Sequence, residues 1–288
     1  MKAEEKRASL RKLLQEKGIV AMPGASNALF AKMIEREGFQ ALYISGAGIA
    51  NSLGFPDTGI VTRPEVINYA KYIANAVNIP AVCDADTGFG EAKDVIRTVE
   101  EFEAAGISGI HIEDQEFPKK CGHLPGKVLV PVEEMVEKIK AAVKGRHDKN
   151  FLIVARTDAK AVEGFDKAVS RSKAYLDAGA DAIFPEALES KEEFARFYKE
   201  VGGLLMANMT EFGKSPYFST DDLAAMGYKM VIFPLAAFRA ANKAAEAVIR
   251  TLKKEGTQKN IITGMQTRKE LYELLGYDGF KDSSKGEL

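Results

Sequence analysis

Ala105-Gly106-Ile107-Ser108-Gly109-Ile110-His111 decides the fold because its pattern recurs. The same arrangement returns as Glu37-Gly38-Phe39-Gln40-Ala41-Leu42-Tyr43, Ala178-Gly179-Ala180-Asp181-Ala182-Ile183-Phe184 and Met226-Gly227-Tyr228-Lys229-Met230-Val231-Ile232. In each copy a glycine closes an amphipathic stretch and an apolar run begins three residues later. Glycine accepts the left-handed conformation that stops a helix. Each copy therefore predicts a helix end followed by a strand.

Eight such apolar runs punctuate the chain: 19–22, 41–45, 80–84, 109–113, 151–156, 182–186, 204–208 and 230–234. Amphipathic stretches separate them, among them 64–77, 92–105, 132–143 and 165–178, and 236–254 follows the last run. Unbroken apolar runs suit strands buried on both faces, with a crossover helix between neighbours. The glycine signature precedes every second run, as a closed barrel of repeated half-units requires. The expected class is α/β, a (β/α)8 TIM-type barrel; an open doubly wound sheet is the rival architecture. A barrel needs roughly 250 residues. Of the 288 residues, 1–256 form the expected barrel with an N-terminal helix, and 257–288 a C-terminal helical extension.

Bulk composition narrows the function. A formal net charge of −1 gives no basic surface for nucleic acid. No apolar stretch reaches the roughly 18 residues of a membrane span, and Met1–Lys17 has no apolar signal core. Cys83 and Cys121 form neither a redox pair nor a disulfide framework, which fits a reducing cytoplasm. Cys83, inside Pro80-Ala81-Val82-Cys83-Asp84, reads as core packing.

In a barrel of this kind chemistry gathers at the C-terminal strand ends. Six of the runs end in polar groups: Tyr43-Ile44-Ser45-Gly46, Cys83-Asp84-Ala85-Asp86, His111-Ile112-Glu113-Asp114, Ala155-Arg156-Thr157-Asp158, Pro185-Glu186 and Ala207-Asn208-Met209-Thr210. Loop solvation explains one or two of these, not six. Asp84 and Asp86, one residue apart, can point the same way and suit Mg2+, which keeps several waters and takes one or two carboxylates. Glu113 and Asp57 could hold those waters. Zinc with His111 and Glu113 is the competing reading, set against zinc's need for three protein ligands. A turn with a helix N-terminal charge is the reading without a metal.

Arg156, at the end of a buried strand, needs a partner. A substrate carboxylate is one and Glu186 another. Ser45-Gly46-Ala47-Gly48 offers backbone N–H groups to a second carboxylate, or is simply a tight strand-to-helix turn. Lys119-Lys120-Cys121-Gly122-His123 sets a thiol among cationic side chains, where a lowered pKa is expected; a surface cysteine beside common lysines is the plainer reading. No run ends in a Schiff-base lysine, and the loops after runs seven and eight are not phosphate cradles. The substrate expected is unphosphorylated and rich in carboxylates. The segment Gln115–Val130 is too long for a plain barrel turn and is expected to close over it.

These segments, together with Asp84-Ala85-Asp86-Thr87-Gly88-Phe89-Gly90, Phe184-Pro185-Glu186, Asn208-Met209-Thr210-Glu211-Phe212-Gly213 and Met265-Gln266-Thr267-Arg268, resemble the isocitrate lyase and phosphoenolpyruvate mutase superfamily over nearly the whole chain. Lys119-Lys120-Cys121-Gly122-His123 is similar to the signature of its lyases, and Thr210–Pro216 to that of the methylisocitrate branch. The resemblance implies Mg2+-dependent carbon–carbon cleavage of a tricarboxylate, 2-methylisocitrate, to pyruvate and succinate in propionate catabolism, with Mn2+ as a substitute metal. It implies Asp84 and Asp86 as metal ligands, with Asp57, His111 and Glu113 around them, and Cys121 as proton donor. It implies substrate contacts from Ser45, Gly46, Ala47, Cys121, Gly122, Arg156, Glu186, Asn208, Met209, Thr210, Arg239 and Arg268. Tyr43 and Glu186 are the candidates for the base. It also implies a homotetramer with C-terminal helices packed on, or swapped with, a neighbour. Isocitrate cleavage, oxaloacetate-type decarboxylation and a non-catalytic metabolite-binding barrel stay open as alternatives.

Overall fold

The computed structural model describes residues 1–277; the part of the expected extension from 278 to 288 lies outside them. Helix α1 (Ala3–Gln15) precedes β1 (Val20–Pro23). There follow α2 (Ala28–Arg36), β2 (Leu42–Ile44), α3 (Gly46–Ser52), α4 (Arg63–Asn75), β3 (Ala81–Asp84), α5 (Ala92–Ala104), β4 (Gly109–Glu113), α6 (Val132–Gly145) and β5 (Leu152–Thr157). The second half holds α7 (Ala159–Val162), α8 (Phe165–Asp177), β6 (Ala182–Pro185), α9 (Lys191–Val201), β7 (Leu204–Asn208), α10 (Thr220–Ala225), β8 (Met230–Phe233) and α11 (Ala236–Glu255). A 3-10 turn (Lys259–Gly264) and α12 (Arg268–Leu275) complete it.

Each strand sits inside or within a residue of its apolar run. The glycines of the repeated signature, Gly38, Gly106, Gly179 and Gly227, all have φ between +87° and +104°. A side chain is strained there, so glycine ends each helix cleanly. All strand pairs are parallel, and β1 pairs with β8 (Val20 opposite Met230). The ring closes where Gly24 bridges Tyr43 and Ala25 N–H donates to the Tyr43 carbonyl at 2.8 Å. An open sheet is thereby excluded.

Alternation along the strands sorts the core into two layers. Leu42, Ile44, Cys83, Ile110, Ile112, Ile153 and Ile183 face outward into the layer under the helices. Tyr43, Val82, Val154, Phe184, Met206 and Ile232 face into the barrel, with Leu10 and Leu14 of α1 packed among strand-start residues Val20, Ala41, Leu152 and Met230. Helix α1 therefore plugs the N-terminal end, and the interior is filled up to the level where polar residues begin. Each fully buried leucine contributes on the order of 2 kcal/mol.

Helix α11 is the exception among the barrel helices, because none of its residues is buried. Ile249 and Leu252 stand exposed on it. Helix α12 packs on α2 instead. Among the described residues no helix is long and apolar enough to cross a membrane.

Candidate active site

The inward alternation continues past the filled core. Two residues beyond Val82 comes Asp84, beyond Val154 comes Arg156, beyond Phe184 comes Glu186, and beyond Met206 comes Asn208. They converge on one cavity of about 270 Å³. Tyr43, Ser45, Ala47, Asp57, Asp84, Cys121, Gly122, Arg156, Glu186, Asn208, Thr210 and Arg239 all line it. Asp86 lies behind it in a smaller recess shared with Gly46, Asp57 and Asp84.

Two aspartates meet at Gly46. A methyl group there would stand 2.8 Å from Asp84 Oδ2 and 3.3 Å from Asp86 Oδ1, so the close approach needs glycine. Gly46 N–H donates to Asp84 Oδ2 (3.2 Å), and Asp86 N–H to Asp84 Oδ1 (3.0 Å). Ser45 caps α3 through a bond from Gly48 N–H (3.3 Å). Burial raises the Asp84 pKa, but His111, Lys119 and Arg156 outweigh it and the net shift is downward. Burial pushes Asp86 up to about 6 despite Lys119. Burial likewise lifts Glu113 well above the carboxylate range, against Arg156 and Lys119. Asp86 Oδ1 has the Lys119 ammonium at 2.8 Å, which it shares with Asp57, and the buried Glu113 carboxylate has Arg156 at 3.3 Å. One ammonium among Asp57, Asp84 and Asp86 leaves negative charge in excess, which is the condition a divalent cation relieves. Among the described residues no three His, Cys, Asp or Glu groups converge as a metal cluster. Two carboxylates suit a cation that retains water; they do not suit zinc.

His111 is not placed as a zinc ligand. Its Nε2 lies 2.7 Å from the Tyr43 hydroxyl and 3.6 Å from Asp84 Oδ1. Burial drives its pKa down to about 4 against the pull of Asp84, so the ring is neutral. The Tyr43 phenol is pushed well above its ordinary value by burial and then by Asp84, and keeps its proton.

Arg156 meets Glu186, one of the two partners considered for it, and two further carboxylates. Its fork holds Asp158 (Nε to Oδ2 2.9 Å, Nη2 to Oδ1 3.2 Å), while Glu113 and Glu186 lie 3.3 Å away. A substrate carboxylate would therefore share the guanidinium. Burial raises the Glu186 pKa, but Arg156 and His123 more than offset it, and the carboxylate stays well below the usual range. Asn208 Nδ2 also donates to Glu186 (3.3 Å), leaving Asn208 Oδ1 without a donor.

The segment after β4 lies across the mouth. Its base is zipped by Glu116 N–H to the Val128 carbonyl (2.9 Å) and Val130 N–H to the Asp114 carbonyl (3.0 Å). Its tip puts Cys121, Gly122, His123 and Leu124 against the cavity. His123 Nε2 is 2.9 Å from Glu186 Oε1, and His123 Nδ1 accepts Lys214 N–H at 3.0 Å. The imidazole thus ties this segment to the loop after β7.

The expectation for the Cys121 thiol is overturned. The Cys121 pKa is raised, not lowered: burial pushes it up and the His123 backbone N–H offsets only part of this. The neighbouring lysines do not address the sulfur. Lys119 binds Asp57 and Asp86, and Lys120 Nζ donates to the Gly126 carbonyl (2.7 Å). Cys83 is core, as expected. Met209 is buried in the core, its sulfur accepting Phe218 N–H at 3.4 Å, and does not line the cavity. Arg268 is also away from the mouth. It begins α12, whose Glu270 lies in a surface recess with Arg36 at the end of α2, and α2 starts at the mouth and ends on the opposite side.

Sequence reasoning gave no structural role to Lys119 as counter-ion, to the His123–Glu186 contact, or to Asp158 and Lys127. Asp158 had a signal, since it follows Arg156 at the inward spacing. The loop contacts had none beyond proximity to Cys121.

Fold and site together are those of a (β/α)8-barrel enzyme that acts on a small molecule. The family model for phosphoenolpyruvate phosphomutase matches residues 10–253. A 2-methylisocitrate lyase of Aeropyrum pernix is 53% identical over 94% of this chain and 88% of that protein. A solved 2,3-dimethylmalate lyase superposes with a TM-score of 0.90 at 36% identity, covering 96% of this chain and 93% of the other. A phosphonopyruvate hydrolase, solved in complex with oxalate and Mg2+, gives 0.84 at 33% identity over 96% and 95%. The chain belongs to the phosphoenolpyruvate phosphomutase family and stands in it among the 2-methylisocitrate lyases.

Proposed function

We propose that the protein is a carbon–carbon lyase that cleaves 2-methylisocitrate to pyruvate and succinate. The observation that carries this reading is the position of Cys121, which lines the same cavity as Asp84, Arg156, Glu186 and Asn208. Identity of about half with a 2-methylisocitrate lyase supports the substrate. Asp84 and Asp86 would hold Mg2+ or Mn2+, with Asp57, Glu113 and His111 around it. Bound there, the cation supplies Lewis acidity that favours ionisation of the substrate hydroxyl.

The chain's own residues do the rest. Arg156, Arg239 and the groups at Ser45–Ala47, Asn208 and Thr210 would bind and orient three carboxylates. Of the two candidate bases, Glu186 is the ionised one, but Arg156 and His123 make it a weak base, and Tyr43 retains its own proton and donates. As the hydroxyl carbon becomes the ketone of pyruvate, the bond to its neighbour breaks and the electron pair stays with the succinate fragment. Cys121 returns one proton to that carbon. A raised thiol pKa suits this task, because the group must still hold its proton when the carbanion forms. The segment 115–130 excludes water meanwhile.

A homotetramer is part of this proposal, together with a cytoplasmic setting that suits two free cysteines. Helix α11, with none of its residues buried, would pack on or swap with a neighbour. Arg268, far from its own mouth, would then serve another copy. The test is incubation with 2-methylisocitrate, isocitrate and oxaloacetate, with and without EDTA. Pyruvate and succinate from the first, lost with EDTA, are expected. Glyoxylate from isocitrate or CO2 from oxaloacetate as the main product would replace this reading, and no turnover at all would leave a binding barrel.

A further inference from the structure

The zipped base of the 115–130 segment does not itself fix the thiol, which sits at the tip. Two buried side chains clamp the residues on either side of Cys121. On one side, the Gln115 amide pairs with both backbone groups of Lys120: Nε2 donates to its carbonyl (2.9 Å) and Oε1 accepts its N–H (3.0 Å). On the other, Lys127 Nζ donates to the Gly122 carbonyl and to Asp158 Oδ1 (2.7 Å). Asp158 in turn holds Arg156, and its own N–H donates to Asp114 Oδ1 (2.9 Å). The carbonyl next to Cys121 is thereby tied to the end of β5.

Neither clamp lines the cavity, so neither can bind substrate there. Both are buried, Gln115 1% and Lys127 7% exposed. A buried ammonium is costly unless it is paired with a carboxylate and hydrogen-bonded. Here one proton goes to a carbonyl and one to a carboxylate. The fit they enforce is tight: a methyl group on Gly122 would stand 2.4 Å from Arg156 Nη2 and 2.5 Å from Glu186 Cγ.

We propose that Lys127 and Gln115 are positioning residues that set where the Cys121 thiol stands in the cavity it shares with Arg156 and Glu186. This rests on the proton-donor role proposed for Cys121. A displacement of about 1 Å costs up to about 100-fold in rate, so loss of either clamp should lower kcat by about 10–100-fold with a smaller change in KM. The same loss frees the tip, and Cys121 should become more accessible to a small alkylating agent.

The experiment measures three quantities on the full chain for Lys127→Met, Lys127→Arg and Gln115→Met: the thermal melt, kcat and KM, and the rate of iodoacetamide modification of Cys121 by mass spectrometry. The expected result is a folded Lys127→Met with reduced kcat and faster alkylation, and partial recovery of both in Lys127→Arg, whose guanidinium can span the same two acceptors. Gln115→Met alters no charge and decides the matter alone if Lys127→Met does not fold. Wild-type kcat, or wild-type alkylation alongside reduced kcat, in the folded variants overturns the proposal. Alkylation needs no substrate, so a wild-type protein that fails to cleave 2-methylisocitrate defeats the functional reading separately from the clamp.

Discussion

Lys119 Nζ lies 2.8 Å from Asp86 Oδ1, so an ammonium from the segment across the mouth balances one of the two aspartates expected to hold a cation. The same ammonium binds Asp57. Closure of the segment and the charge state of the aspartates are therefore one electrostatic problem. Asp86→Asn should lower turnover by at least about 100-fold and abolish the rise in melting temperature on adding Mg2+, while the protein stays folded. Calorimetric titration of Mg2+ into wild type and variant checks this, and equal Mg2+ affinity in the two would remove Asp86 from the metal site.

The raised Cys121 pKa has two measurable consequences. Its alkylation by iodoacetamide should be slow at neutral pH and climb only above the ordinary thiol value, because the thiolate is the nucleophile. Cys121→Ser should fold normally and lose about 100-fold or more in turnover, the typical scale for removal of a general acid. Fast modification at pH 7, or near-normal turnover of the serine variant, would count against the sulfur as a held proton source.

The barrel and the donor set of its mouth were legible because both follow from alternation. Once 80–84 is a strand, Asp84 must share a face with Val82, while Asp86 lies past the strand end with φ +45° and turns into the recess behind. The loop was not legible in the same way. Lys119, Lys120 and Cys121 are adjacent in sequence, which suggested that the lysines tune the sulfur. In an irregular segment, however, neighbours diverge: Lys119 reaches Asp57, Lys120 the Gly126 carbonyl, and the thiol faces the cavity. Spacing also could not show that Met209 turns into the core between Asn208 and Thr210, or that Arg268 lies at the far end of α2. Those placements depend on chain paths that no local periodicity encodes.

His111 provides a pH signature. Its folded pKa of about 4 lies below the ordinary 6.5. Between these values the unfolded chain binds a proton that the native ring refuses. The neutral ring therefore favours the fold above pH 6.5, and this contribution is lost as pH falls toward 4, by up to about 3 kcal/mol. Asp86 acts in the opposite sense, since a pKa raised to about 6 makes its ionisation costly as pH rises from 3.8 to 6. The wild-type curve also carries the shifted carboxyls Asp84, Glu113, Asp114 and Glu186, so the difference from His111→Asn is the quantity to measure. Urea unfolding at pH 7 and pH 5 should show a smaller loss of stability on acidification in the variant. Parallel curves would mean that His111 is not neutral in the fold.

Helix α11 makes the last prediction. A 20-residue helix with Ile249 and Leu252 exposed and no buried residue leaves apolar surface in water that a barrel helix would ordinarily cover. Association of copies through this helix removes that surface. Ile249→Asp with Leu252→Asp places two charges in the proposed contact, where burial without a partner costs several kcal/mol. Sedimentation should show a multimer for the wild type and smaller species for the double variant. Turnover should fall in the variant as well, because Arg239 lies on α11 and lines the mouth. An unchanged sedimentation profile would show that these side chains lie outside any contact between copies.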